Sequence, residues 1–181
     1  EINSEDDDSW AARGQCKFVL KQYEEAIKDF NKAIEINSEN DKYWEARGLC
    51  KFELKQYEEV IKDCDKAIEI DPQDSAAWKV RGEIYFVLEQ YEEAIKDCDK
   101  AIEIDPQRYL GSDVWQLKGR SKGKLEQYKE AIKDFDKSIK IFPEDYESWY
   151  YRGEICFALE QYEEAIIDFN RAIEICPEDD E

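Results

Sequence analysis

The residues of this chain that can do chemistry are carboxylates and thiols. In 181 residues it carries 46 Asp and Glu against 26 Lys and Arg, six cysteines and no histidine. Converging carboxylates can work as a general acid–base pair or hold a hard cation. Here they fall instead at helical surface positions, as in Glu24-Glu25, Glu58-Glu59, Glu92-Glu93 and Glu163-Glu164. There is no CxxC, no Gly-rich phosphate loop and no GxSxG elbow. The expectation is a chain without catalytic residues, metal or cofactor.

The elements that carry these residues repeat. Tryptophans stand at 10, 44, 78, 115 and 149, so the gaps are 34, 34, 37 and 34 residues. A fixed period of that size marks a stacked-repeat architecture. A basic residue and a glycine follow each tryptophan: Arg13-Gly14, Arg47-Gly48, Arg81-Gly82, Lys118-Gly119 and Arg152-Gly153. Thirteen residues after each tryptophan comes Tyr23, Tyr57, Tyr91, Tyr128 or Tyr162.

Each copy holds two amphipathic stretches. In the second, Ala94, Ile95, Cys98, Ala101 and Ile102 form an apolar stripe at helical spacing. Glu92 and Glu93 fall in its first turn, where they complement the helix dipole, and Glu92 is set for an i,i+4 pair with Lys96. Asp105-Pro106 ends it, because the residue before proline avoids helical geometry. The first stretch, from Ala76 to Leu88, contains Gly82. A mid-helix glycine costs roughly 1 kcal/mol against alanine, so its return in every copy predicts a closely approaching neighbour. Ten helices are expected.

These residues resemble the tetratricopeptide repeat (TPR) family over nearly the whole chain. The third copy carries the resemblance in Trp78, Gly82, Tyr85, Ala94, Cys98, Ala101 and Pro106. Departures are a basic residue before every glycine and Lys17, Lys51, Lys122 or Cys156 in place of the first aromatic. Ser38 replaces the closing proline of the first copy. The resemblance implies an all-α, right-handed α-solenoid of antiparallel helix pairs, the TPR superhelix. The copies read as 7–40, 41–74, 75–108, 112–145 and 146–179. Residues 1–6 repeat the tail of a preceding copy, 109–111 are an inserted loop, and 180–181 open a truncated one. A segment of a longer array is expected. In the loop region, Tyr109 and Leu110 either contact a partner or fold over neighbouring helices.

Cys16/Cys50 and Cys64/Cys98 are each one repeat apart. Equivalent points on stacked helices lie about 8–10 Å apart, too far for a bridge that needs Cα atoms within about 7 Å. Cys64 and Cys98 replace Phe30, Phe135 and Phe169 of other copies and should be buried, whereas Cys176 should be exposed. Free thiols point to a reducing, cytoplasmic setting. A net charge of -20 repels nucleic acid, and no run of 18 apolar residues offers a membrane span. The charge is uneven: the fourth copy is +1 and the fifth is -7.

In the TPR family the first helices line a concave groove that holds peptides. That resemblance implies a row of Phe18, Phe52, Phe86 and Phe157, broken in the fourth copy by Gly123. Arg120, Lys122 and Lys124 stand around the break, with Lys79 in a neighbouring copy. The missing aromatic and the cations predict a notch for a carboxylate, while Gly119 and Gly123 also weaken the helix. Tyr150 and Tyr151 of the fifth copy complete the expected groove. The two-carboxylate clamp of chaperone-binding relatives is not reproduced, since its places hold Ala11, Gln15, Ala46, Ala76 and Val80. The expected function is a protein–protein interaction scaffold for a peptide or partner helix. Alternatives are self-association through uncapped ends, hinted at by Ile167 where four copies have lysine, and a targeting domain of a larger enzyme. Each copy also has an aspartate sixteen residues beyond its basic residue, and Arg13, Arg47, Arg81 and Arg152 are expected to pair with such aspartates in the same or an adjacent copy.

Overall fold

A computed structural model describes residues 6–106 and 113–176. The inserted loop with Tyr109 and Leu110, most of the expected N-terminal tail and the last residues lie outside them. The described residues form ten α-helices: α1 (Asp7–Val19), α2 (Tyr23–Ile36), α3 (Asp41–Glu53), α4 (Tyr57–Ile70), α5 (Ser75–Val87), α6 (Tyr91–Ile104), α7 (Asp113–Lys124), α8 (Tyr128–Ile141), α9 (Tyr146–Ala158) and α10 (Tyr162–Ile175). They follow one another as helix pairs, and the chain divides into two compact units, Glu1–Ile84 and Tyr85–Glu181.

Within every pair a three-residue turn reverses the chain. Its middle residue sits in the left-handed region: Lys21, Lys55, Glu89, Glu126 and Glu160 have φ between 58° and 60°. Gln22 N–H donates to the Lys17 carbonyl and Lys21 N–H to Phe18, both at 2.9 Å. This six-to-one closure satisfies the last carbonyls of the first helix, and its glycine-favouring position is never glycine here. Asn40 and Asp74 open α3 and α5 by accepting from Lys42 N–H and Ala76 N–H at 3.2 and 2.9 Å.

In the first unit α1 packs on α2, α2 on α3 and α3 on α4. Ala26, Phe30 and Cys50 make one buried cluster, with Phe18 and Tyr23 against it. Trp44 joins the next two, packing on both Ala33-Ile34-Tyr43 and Ala67-Ile68-Ala77. The core therefore runs from repeat to repeat, each helix pair depending on its neighbour for burial. In the second unit α6 packs on α7, α7 on α8, α8 on α9 and α9 on α10.

Gly14, Gly119 and Gly153 answer the sequence expectation, and Gly48 does not. A Cβ on Gly14 would meet the Phe30 ring at 3.0 Å, on Gly119 the Phe135 ring at 3.0 Å, and on Gly153 the Phe169 ring at 2.9 Å. Gly48 differs, because its facing residue is Cys64 rather than phenylalanine; the nearest atom is Asp63 Cβ at 3.5 Å. The close approach at the other positions is thus to a phenylalanine ring, not to helix backbone.

All six cysteines are free; Cys50, Cys64, Cys98 and Cys156 are buried, and Cys16 and Cys176 exposed. Burial pushes the Cys50 and Cys64 thiols up to about 11 and about 12, so they behave as small apolar side chains. One local expectation changes. Lys96 pairs with Glu93, three residues back, at 3.8 Å rather than with Glu92.

Candidate functional site: a cleft beside Gly123

The basic residue of each repeat builds the scaffold before any site is reached. Arg13, Arg47 and Arg152 clamp Asp29, Asp63 and Asp168 through two parallel hydrogen bonds of 2.5–3.0 Å. Their remaining nitrogens reach the preceding repeat where one is described: Arg47 to Asn31 at 2.6 Å and Arg152 to Asp136 at 2.5 Å. Arg81 makes the same backward bond to Asp65 at 2.6 Å. Each guanidinium also lies over its own tryptophan, at 4.6–4.9 Å for Arg13, Arg47, Arg81 and Arg152.

The lysines that displace the family's aromatic join the same carboxylates. Lys17, Lys51 and Lys122 lie 2.8, 2.9 and 2.6 Å from Asp29, Asp63 and Asp134. This corrects the expectation for Lys122: it is turned to Asp134 and is not part of a notch around Gly123. The aspartate is almost completely buried, so two cations on it offset the cost of desolvating its charge. At Asp29 burial works against ionisation, but hydrogen bonds from Arg13 and Lys17 hold it below the ordinary carboxylate range.

The expected phenylalanine row has a local role in each repeat. Phe18 packs tilted or edge-on against Tyr23 at 5.6 Å, as do Phe52 against Tyr57 at 6.1 Å, Phe86 against Tyr91 at 5.5 Å and Phe157 against Tyr162 at 5.5 Å. The pairs staple the turn between the two helices. Phe52 and Phe157 still leave much of their rings exposed. In the fourth repeat Gly123 stands in place of phenylalanine, and Tyr128 has no aromatic ring packed against it among the described residues.

A cleft of about 430 Å³ opens there, lined by Arg120, Gly123 and Lys124 of α7, Tyr128 and Phe135 of α8, and Tyr151, Glu154, Ile155 and Ala158 of α9. That is within the roughly 300–1,000 Å³ of ligand-binding clefts. The Arg120 guanidinium carbon lies over two rings, 4.7 Å from the centroid of Phe86 and 4.5 Å from that of Tyr151. Neither Arg120 nor Lys124 forms a hydrogen bond or ion pair among the described residues. Helix α7 continues through Gly119 and Gly123 without interruption.

The other expected groove residues fall in different settings. Tyr151 stacks on Phe135 at 6.3 Å, and Tyr150 packs on Tyr151 and Phe169 at 5.5 and 5.8 Å. Tyr150 donates its hydroxyl to Glu154 at 3.2 Å, on the cleft wall. Phe18, Phe52 and Lys79 belong to the first unit, where Lys79 pairs with Glu83 at 3.2 Å. Tyr128, Phe135, Glu154, Ile155 and Ala158 were not foreseen as cleft residues. One signal was available: Tyr151 replaces Ala12, Ala46, Val80 and Leu117 of the other copies.

A second ionisable cluster lies in the first unit. Oxygens of Asp41, Glu45 and Asp74 converge within 4.8 Å. The Lys42 ammonium already fills this position, 2.9, 2.8 and 2.5 Å from the three. Burial, and then the hydrogen bond it shares with Asp74, pushes Glu45 up to about 7. Asp74 moves the other way: burial opposes ionisation, but Glu45, Lys42 and Ala76 N–H outweigh it.

Among the described residues no helix is long and apolar enough to cross a membrane. No curated protein matches the sequence. Solved structures share the architecture at low identity. MamA 41-end from Desulfovibrio magneticus RS-1 superposes with a TM-score of 0.89 at 16% identity, covering 97% of each chain. A crystal structure of MamA gives 0.84 at 19% identity over 90% of this chain and 93% of that one. YrrB, described as a TPR protein with an unusual peptide-binding site, gives 0.84 at 20% identity over 98% and 90%. These likenesses establish the fold. The tetratricopeptide repeat profiles match residues 8–40, 42–74, 75–108 and 117–180, and the chain, an all-α solenoid of paired helices, is a member of the tetratricopeptide repeat family.

Proposed function

We propose that this chain is a protein-interaction scaffold whose first helices receive a peptide or partner helix, with the fourth repeat as the principal contact. The observation that carries the reading is the cleft beside Gly123, where Arg120 lies over Phe86 and Tyr151 and forms no hydrogen bond or ion pair among the described residues. Arg13, Arg47 and Arg152 are held by the aspartate ladder and Arg171 by Glu144 and Glu174, so a guanidinium with no ion-pair partner among the described residues is a departure from the pattern. Preorganised aromatic and arginine groups are the residue types that dominate binding energy at protein interfaces. The likeness to YrrB, a TPR protein with a peptide-binding site, supports the same reading. Within the second unit Tyr150 and Phe157 extend the proposed contact surface, and Phe18, Phe52 and Lys79 are proposed as contacts of the first unit by itself.

The test is selection of peptides from a displayed random library on the whole chain, followed by affinity measurements. Alanine at Phe52, Phe86, Tyr151 and Phe157 should weaken the selected peptides. A library that yields no binder, or binders indifferent to all four changes, overturns the reading.

A second reading rests on α10, where Ile166, Ile167 and Ile173 are each about 60% exposed. An apolar face of that kind favours self-association. Light scattering over a concentration series, with Ile167→Lys as control, separates it from peptide binding.

A further inference from the structure

We infer that the cleft beside Gly123 is built for an aromatic side chain flanked by carboxylates, supplied by an extended acidic segment of a partner protein. The inference rests on the scaffold reading and narrows it to one chemical class. Its basis is a vacancy in an otherwise regular pattern. In four repeats the ring of Phe18, Phe52, Phe86 or Phe157 lies 5.5–6.1 Å from the tyrosine that opens the next helix. In the fourth, Gly123 offers no ring to Tyr128, and the space is the cleft itself. Only part of it is refilled from within, by Ile155, whose Cδ1 lies 2.9 Å from where a Cβ on residue 123 would stand. An incoming aromatic ring would meet Tyr128 as the chain's own phenylalanines meet theirs. It would also bury against Ile155 and Ala158.

Charge fixes what must stand beside that ring. Arg120 and Lys124 sit one turn apart on α7, and both lack an ion-pair partner among the described residues. The guanidinium carbon lies over the rings of both Phe86 and Tyr151, and its N–H fork suits a carboxylate. Glu154, on the α9 wall, repels a carboxylate there and directs the acidic groups to the α7 side. The fourth copy carries a charge of +1 in a chain of -20, so an acidic segment is tolerated here and repelled elsewhere.

The experiment uses the full chain and a fluorescein-labelled peptide with one phenylalanine between glutamates, read by anisotropy at low salt. Replacing that phenylalanine by alanine, or the glutamates by lysine, should weaken binding roughly tenfold or more. In the protein, Gly123→Phe supplies the missing ring from within and should abolish binding. Arg120→Gln with Lys124→Gln leaves the cleft open and should also weaken binding by roughly tenfold. Circular dichroism melts confirm that each variant is folded; if Gly123→Phe is not, the double glutamine variant carries the test. Absence of binding to the parent chain, or equal binding to the folded variants, overturns the inference. Library peptides that bind but lack an acidic–aromatic core and ignore these variants would leave the scaffold reading standing and sink this one alone.

Discussion

Arg47 grips both carboxylate oxygens of Asp63, sixteen residues further on, with donors at 3.0 and 2.5 Å, and Lys51 adds a third contact at 2.9 Å. Asp63 is 1% exposed. The arrangement ties the first helix of a repeat to the second, and through Asn31 to the repeat before. Removing one member strands a buried charge. Asp63→Asn should therefore destabilise the chain by about 3–5 kcal/mol, measured by urea unfolding. A loss below about 1 kcal/mol would show that the ladder is a solvated surface feature.

The glycines separate two cases that look alike in sequence. Gly48→Ala places a Cβ 3.5 Å from its nearest neighbour, so the gain in helix propensity should raise stability by up to about 1 kcal/mol. Gly119→Ala drives a Cβ to 3.0 Å from the buried Phe135 ring and should cost about 1–3 kcal/mol. Equal shifts in Tm for the two variants would contradict the packing described.

The left-handed turn residues carry a related expectation. Lys55 and Glu126, at φ of 58° and 60°, pay the steric cost that glycine avoids. Lys55→Gly and Glu126→Gly should each stabilise by a net of about 0.5 kcal/mol after the loss in unfolded-state entropy. Destabilisation by either would indicate that the side chain, not the backbone, holds the turn.

Glu45 makes one part of the stability pH-dependent. Its folded value of about 7 lies above the unfolded 4.5, so its contribution is present below pH 4.5 and lost as pH rises through 7. Asp74, held low, has the opposite sign and matters only in acid. Between pH 5 and 8 the parent should lose stability relative to Glu45→Gln, checked by urea melts of both at each pH. Parallel curves would refute the raised Glu45 carboxyl.

The fold was legible because its determinants are local and repeated. Tryptophan and glycine spacing, the paired glutamates of each second helix and Asp105-Pro106 each report on a few neighbouring residues. The Arg–Asp pairing was legible for the same reason, recurring sixteen residues apart in every copy. What sequence missed depends on side-chain direction. Lys122 reads as a neighbour of Gly123 yet reaches Asp134, while Arg120 lies over Phe86 and Tyr151. Ile155 and Tyr128 enter the cleft from α9 and α8, and no single copy announces that convergence.

The most direct test of the scaffold account is hydrogen–deuterium exchange of the whole chain with and without a library-selected peptide. Protection should appear in α7 and α9, over residues 113–124 and 146–158, with the strongest effect around Arg120 and Tyr151. Protection confined to the second helices of the repeats, or none at saturating peptide, would contradict it.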